Sequence, residues 1–333
     1  MTTTMINSVA SGSIFGAALV AAGVYSPEVI IGQMQLKEFH MLKTFLAASA
    51  SSALPIILAK TLNIASCKPK TPVTLNLFSA YDGNILGGLL LGIGMSLTGA
   101  CPGTLVPQLA TGVPSGPLVL VGGLAGGILY SRYGKPLIGR VQNRGLVEKA
   151  TIFEVLEFKQ GSAMAVYEAM CLAMIGSLTH YFPDSDDLLA PSIVGGLFIG
   201  MSQAVSLLLT GGSLGISAAY EQLGDLFWWA EESVLEGNTA RRPSIKSTAF
   251  AVGTFIGSGI LFRILGLPAP TSGLHIGPAR AVIGGVFLTF GSRIAGGCTS
   301  GHGISGMSQL SISSIITVIA MFGGGIAMMA FIQ

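Results

Sequence analysis

Charge is what this chain has least of. Only 10% of its 333 residues are Asp, Glu, Lys or Arg, where a soluble domain carries about a quarter. Gly83–Ser131 and Leu188–Tyr220 contain no charged residue. From Ala281 onward the sole Arg or Lys is Arg293, and no acid appears. Burial in lipid is the natural reading of such runs, because crossing the hydrocarbon as a helix takes about 20 apolar residues. Basic tracts are missing as well. The net charge is +2 and the basic residues sit scattered in loops, which leaves no footprint for a nucleic acid. Met1–Asn7 is polar without a basic residue, so no cleavable secretory leader is expected. Cysteine is scarce: Cys67, Cys101, Cys171 and Cys298 form neither a tight pair nor a secreted-disulfide pattern.

What the chain does have is apolar surface, 50% of its residues, and 47 glycines. The expected fold is an all-α polytopic membrane protein, a single transmembrane domain over 1–333. Expected spans include Phe39–Ala59, Pro117–Tyr130, Ser162–His180, Pro191–Thr210, Thr248–Leu265 and Ile315–Ile332. Ser8–Tyr25 and the segment to Gln35 look too short to cross alone and suggest a re-entrant pair. Cys67 reads as a loop thiol and Cys171 as a packing residue.

One glycine-rich segment is written twice. Gly87-Gly88-Leu-Leu-Leu runs to Gly99-Ala-Cys101-Pro102-Gly103, and Gly284-Gly285-Val-Phe-Leu runs to Gly296-Gly297-Cys298-Thr299-Ser300-Gly301-His302. Each copy reads as a close-packing helix that breaks at a thiol-bearing turn, followed by a short partner segment (Thr104–Thr111 and Ser300–Leu310). Two further breaks, at Tyr25-Ser26-Pro27 and Gly211-Gly212, are followed by short segments, the second being Ser213–Leu223. Paired broken helices point to a transporter whose site lies where the repeats meet. Irregular backbone at membrane depth has to pack in protein or line a cavity, so the breaks belong at the centre and the long spans outside. The halves are read as 8–131 and 161–333, joined by the basic linker 132–160. That linker carries Arg132, Lys135, Arg140, Arg144 and Lys149. The positive-inside rule places it in the cytoplasm and the Asp184-Ser-Asp186-Asp187 turn outside. A mixed-charge loop with Glu231, Glu232, Glu236, Arg241 and Arg242 precedes the Thr248–Leu265 span.

The chemistry concentrates at the two cysteine turns. Pro102 stops a helix and Gly103 lets the chain turn. The next segment then begins with free N–H groups and a positive dipole end aimed at the break. A thiol there faces a site that favours an anion. Cys298 repeats the arrangement and adds Thr299, Ser300 and His302. A cysteine can also be a small packing residue; two at matching breaks weigh toward function. Arg293 sits about one and a half turns before Cys298. An intramembrane charge is functional by default; its structural alternatives are a partner for Glu168 or snorkelling near a helix end. His302 reads as an anion donor, a proton relay or, slightly favoured, a turn cap.

The motifs Gly-Ile-Gly-x-x-Leu-x-Gly-x-Cys101-Pro-Gly and Gly-Ser-Arg293-Ile-Ala-Gly-Gly-Cys298-Thr-Ser-Gly-His-Gly-Ile-Ser-Gly resemble those of the YeeE/YedE family of sulfur-transport membrane proteins. The resemblance extends to Gly23-Val-Tyr25-Ser-Pro27 and Gly195–Leu223, and so covers most of the chain. It implies import of thiosulfate or a related reduced sulfur anion through a narrow path lined by cysteines, with Cys101 and Cys298 matching the two motif positions. It also implies a third cysteine in the first broken segment, where this chain has Gly23-Val24-Tyr25. Tyr25 then offers a hydroxyl in its place. The expected contact set is Cys101, Cys298, Arg293, His302, Thr299, Ser300, Tyr25 and Gly103, with no cofactor and a multi-pass location in the plasma membrane.

Two other readings compete. A soft-metal transporter would use Cys101, Cys298 and His302 as ligands, but no Cys-x-x-Cys or Met-x-x-Met run supports it. A membrane sulfurtransferase would pass sulfur through a persulfide to a soluble sulfur carrier or sulfurtransferase partner. It needs a reactive cysteine and a base, and no such pair is recognisable.

Overall fold

The computed structural model describes residues 2–63, 68–141, 149–184, 189–235, 242–268 and 276–332. Cys67, Arg144, Asp186, Asp187, Glu236, Arg241 and the side chain of Arg140 lie outside what is described. Within the described residues the chain is helical, apart from turns and one isolated bridge between Thr151 and Ser311. The first part contains α1 (Thr2–Ala21), α2 (Pro27–Met34), α3 (His40–Thr61), α4 (Asp82–Thr98), α5 (Leu105–Thr111) and α6 (Gly116–Leu129). A π-turn at Tyr130–Gly134 carries α6 into α7 (Lys135–Val141), and α8 (Ile152–Val155) follows. The second part contains α9 (Gln160–Tyr181), α10 (Ser192–Thr210), α11 (Ser217–Leu235), α12 (Lys246–Ile264), α13 (Pro278–Ile294), a π-helical segment Ser300–Gly306 and α14 (Ile312–Ile332).

Among the described residues six helices, α1, α3, α9, α10, α12 and α14, are long and apolar enough to cross a membrane. The chain is an integral, all-α membrane protein. Three segments differ from the sequence expectation. The first helix starts at Thr2 and reaches 20 residues, so it is long enough to cross. Its uncharged start joins the helix, with the Ser8 hydroxyl donating to Thr4 O and Asn7 Nδ2 donating to Leu209 O, both at 2.9 Å. The segment expected at Ser213–Leu223 is instead α11, which runs on to Leu235. Its polar residues lower the hydropathy without breaking the helix, and Trp228 Nε1 anchors the extension by donating to Ile128 O at 3.0 Å. The basic linker is partly helical rather than open loop.

Glycine sets the packing at the centre. On α4 and α13 the contacts run antiparallel and reciprocate. A methyl on Gly94 would lie 2.5 Å from Leu288 N and 2.8 Å from Gly284 O, while one on Gly291 would lie 2.6 Å from Leu91 N and 2.8 Å from Gly87 O. No side chain fits between backbones this close, which is how small residues bring membrane helices together. The other four extensive contacts fall into two pairs. Helix α1 packs on α12 as α10 packs on α3, and α4 packs on α14 as α13 packs on α6. Leu91, Met95 and Leu288 fill the buried core between these elements.

Each of the four breaks holds a left-handed glycine: Gly23 (φ 69°), Gly99 (φ 60°), Gly211 (φ 66°) and Gly296 (φ 80°). This conformation costs glycine nothing and ends a helix abruptly. The chain can therefore reverse within the protein and start its next segment close to the centre.

Candidate functional site

Cys101 follows the Gly99 turn and Cys298 the Gly296 turn, and both are buried. The segment after Cys101 folds back on its sulfur. Thr104 N–H and Thr104 Oγ1 each donate to Cys101 Sγ at 3.3 Å, and the Gly103 N–H also points at the sulfur. In return Cys101 N–H donates to Thr104 Oγ1 at 2.8 Å. These bonds fix the thiol beside the start of α5.

Cys298 draws its partners from two places. The Ser300 hydroxyl lies 3.2 Å from Cys298 Sγ. The backbone of Gly301, from the segment that follows, and of Ile216 and Ser217, at the start of α11, lies near the same sulfur. The start of α11 thus sits beside a thiol on another element. Sequence reasoning expected each thiol to face its own following segment; the α11 contribution is tertiary and has no local signal.

Gly103 lies between the two cysteine turns. A methyl built on Gly103 would meet Cys101 Sγ at 3.5 Å, and Ile216 Cγ2 and Ser300 Oγ at 3.9 Å. Ser300 in turn touches Cys298. Tyr220 is tied to the Cys101 turn, its hydroxyl donating to Pro102 O at 3.3 Å.

The other expected contact residues are placed differently. Thr299 directs its hydroxyl to the sulfurs of Met95 (3.7 Å) and Met321 (3.5 Å), not to a thiol. His302 has both ring nitrogens engaged: Nε2–H donates to Ala295 O at 3.1 Å, so Nδ1 accepts from the Ser314 hydroxyl at 2.9 Å. The ring ties the Gly296 turn to α14, in keeping with a turn cap. Tyr25 is held through its carbonyl, which accepts from Gln108 Nε2 at 2.9 Å, and its ring meets Phe262 edge-on at 6.5 Å. Gln108 Nε2 also donates to Gly99 O at 2.7 Å, so one amide joins two breaks.

Arg293 is ion-paired to Glu221 on α11, not to Glu168, and lies over the Tyr130 ring at 5.5 Å. Lys135 reaches the same Glu221 at 3.0 Å and Asp225 at 2.6 Å. Glu221 was not singled out from the sequence, because an acid at the edge of an apolar run resembles an ordinary loop charge. Lys70, in the connection between α3 and α4, also reaches the turn: its ammonium donates to Gly296 O at 3.4 Å, within electrostatic reach of Cys298.

Among the described residues no three His, Cys, Asp or Glu side chains converge as a metal site, and His302 has no nitrogen left to ligate. Cys101, Cys171 and Cys298 are all free thiols. What the arrangement offers chemically is two buried S–H groups, each beside a hydroxyl.

Comparison with known proteins agrees with this architecture. Residues 21–327 match the family described as Sulphur transport. A protein of Spirochaeta thermophila named thiosulfate transporter TsuA is 25% identical over 325 residues, 91% of each chain. A probable transporter of Xylella fastidiosa strain Temecula1 is 30% identical over 139 residues, which is 91% of that protein but 42% of this chain. Its counterpart in strain 9a5c is 29% identical over the same shares.

Proposed function

The chain belongs to the sulphur-transport family, and from that premise we propose that it imports thiosulfate, or a closely related reduced sulfur anion, past Cys101 and then Cys298. Members of this family are transporters, and the chain is a membrane transporter rather than an enzyme. One observation carries the finer reading: each sulfur lies against a hydroxyl, Thr104 Oγ1 for Cys101 and Ser300 Oγ for Cys298. In this reading the S–H protons turn toward Gly103 to meet the anion. A thiol is a weak donor. A soft anion is therefore held without being trapped, which conduction requires.

The helix starts supply the rest of the attraction. The first turns of α5 and α11 bring positive dipole ends to the two thiols, so the anion need not meet a full charge in the constriction. Arg293 serves the site indirectly, by holding α11 through Glu221. Ser300 and Gly103 line the passage between the thiols, Ser300 as a hydroxyl donor and Gly103 as free space. Tyr25 lies in the first break and contributes its carbonyl to the Gln108 bridge.

The halves 8–131 and 161–333 are proposed to be inverted repeats about the 132–160 linker. The antiparallel, reciprocal contact of α4 with α13 supports this, as do the left-handed glycines at all four breaks. The half-length Xylella fastidiosa protein, matched almost end to end by less than half of this chain, fits the same reading. With the basic linker in the cytoplasm of a plasma-membrane protein, the Cys101 break faces outward and the Cys298 break inward.

The test is radiolabelled thiosulfate uptake into proteoliposomes, with sulfate, sulfite and selenium oxyanions as competitors. Saturable uptake that sulfate does not suppress supports the reading. Absence of uptake, or equal preference for sulfate, contradicts it.

A further inference from the structure

Arg293, the cation expected from sequence near Cys298, is already neutralised by Glu221. Lys70 stands in its place. It lies on the α3–α4 connection, where both the Ser311 and Ser313 hydroxyls donate to its carbonyl at 2.9 Å. That double clamp fixes the backbone and sends the side chain over the Gly296 turn. There Nζ donates to Gly296 O at 3.4 Å, and a methyl on Gly297, the residue before Cys298, would lie 3.6 Å from it. Among the described residues no carboxylate pairs with Lys70, whereas Lys43, Arg132, Lys135 and Lys149 each have one.

The surroundings form a rim over the thiol. Lys70, Gly296 and Arg293 are each partly exposed, while Cys298 just beyond them is fully buried. An ammonium with two donors to spare therefore sits between water and the inner thiol. On the reading that thiosulfate passes by way of Cys298, we propose that Lys70 is the anion-receiving residue at the inner mouth, drawing the sulfur anion off Cys298 and into the aqueous side. A thiol holds the anion weakly and a fixed positive charge beyond it lowers the next step, so exit does not stall at the last hydrogen bond.

A purely structural alternative exists, since a lysine on a helix C-terminal carbonyl also complements the α13 dipole. The two differ in what they ask of the side chain. A cap is replaced by any donor, glutamine included, whereas an anion receiver needs the charge. Uptake of radiolabelled thiosulfate by proteoliposomes of wild type, Lys70→Arg, Lys70→Gln and Lys70→Glu, with melting temperatures of each, separates them. The expected order is wild type close to Lys70→Arg, Lys70→Gln slower by roughly five- to tenfold, and Lys70→Glu slower still, at unchanged melting temperature. Active wild type with Lys70→Glu at the same rate overturns the role of Lys70 alone. Losses that follow melting temperature instead of charge also overturn it. An inactive wild type removes both this inference and the transport reading beneath it.

Discussion

Arg293 in the last turn of α13 is ion-paired to Glu221 in the second turn of α11. The pair braces α13 against the helix whose start lies beside Cys298. Glu221→Gln leaves Arg293 without its carboxylate, and removing one partner of a largely buried pair costs more than the pair was worth. The expected result is a stability loss of roughly 2 kcal/mol, read as a lower melting temperature in detergent, together with slower thiosulfate uptake. An unchanged melting temperature would show that α11 is held by packing alone.

Gly103→Ala separates folding from passage. Nothing lies closer than 3.5 Å to the added methyl, which is ordinary van der Waals contact, so the melting temperature should stay within about a degree of wild type. The methyl nevertheless fills the space between Cys101 Sγ and Ser300 Oγ. Uptake is expected to fall by about tenfold, the order of one lost passage contact. Gly94→Val gives the opposite pattern, with no properly folded protein, because the Leu288 backbone occupies that space.

Asp184 carries a pH-dependent share of stability. Burial raises its carboxyl, but Lys43 at 2.6 Å and the N–H and hydroxyl of Ser192, both at 2.8 Å, outweigh burial and hold it at about 2. A depressed carboxylate stabilises above its unfolded value of about 4 and loses that contribution as pH falls toward 2. Thermal melts between pH 6 and pH 2 should show this decline. Asp184→Asn, which leaves the buried Lys43 unpaired, should melt lower at pH 6 and decline less on acidification. Equal acid sensitivity in the two proteins would assign the effect to other groups.

The thiols are expected to stay unmodified during transport. Intact-mass spectrometry after incubation with thiosulfate should show no added sulfur on the protein, because neither thiol has a neighbouring base: His302 is committed to Ala295 and Ser314. A mass increase of one sulfur atom lost on alanine substitution of Cys298 would instead indicate a persulfide route.

Much of this was legible in the chain. Helix-length runs without charge marked the membrane segments, and Gly99-Ala-Cys101-Pro102 and Gly296-Gly297-Cys298 marked breaks because glycine and proline act on backbone locally. Which groups meet across the centre was not legible. The approach of Ile216 and Ser217 to Cys298, the Glu221 partner of Arg293 and the reach of Lys70 all depend on helix packing, which has no periodicity to read. Length misled at α1 and α11, where uncharged polar or mixed residues continue a helix that hydropathy alone would end.

The most direct measurement is the initial rate of radiolabelled thiosulfate uptake by proteoliposomes carrying Cys101→Ala, Cys298→Ala and the matching serine variants at equal protein density. Each alanine variant should lose about tenfold or more, the worth of a hydrogen bond to a charged group, and each serine variant should keep an intermediate rate because a hydroxyl still donates. Uptake at the wild-type rate in both alanine variants would contradict a path that runs by way of the two thiols.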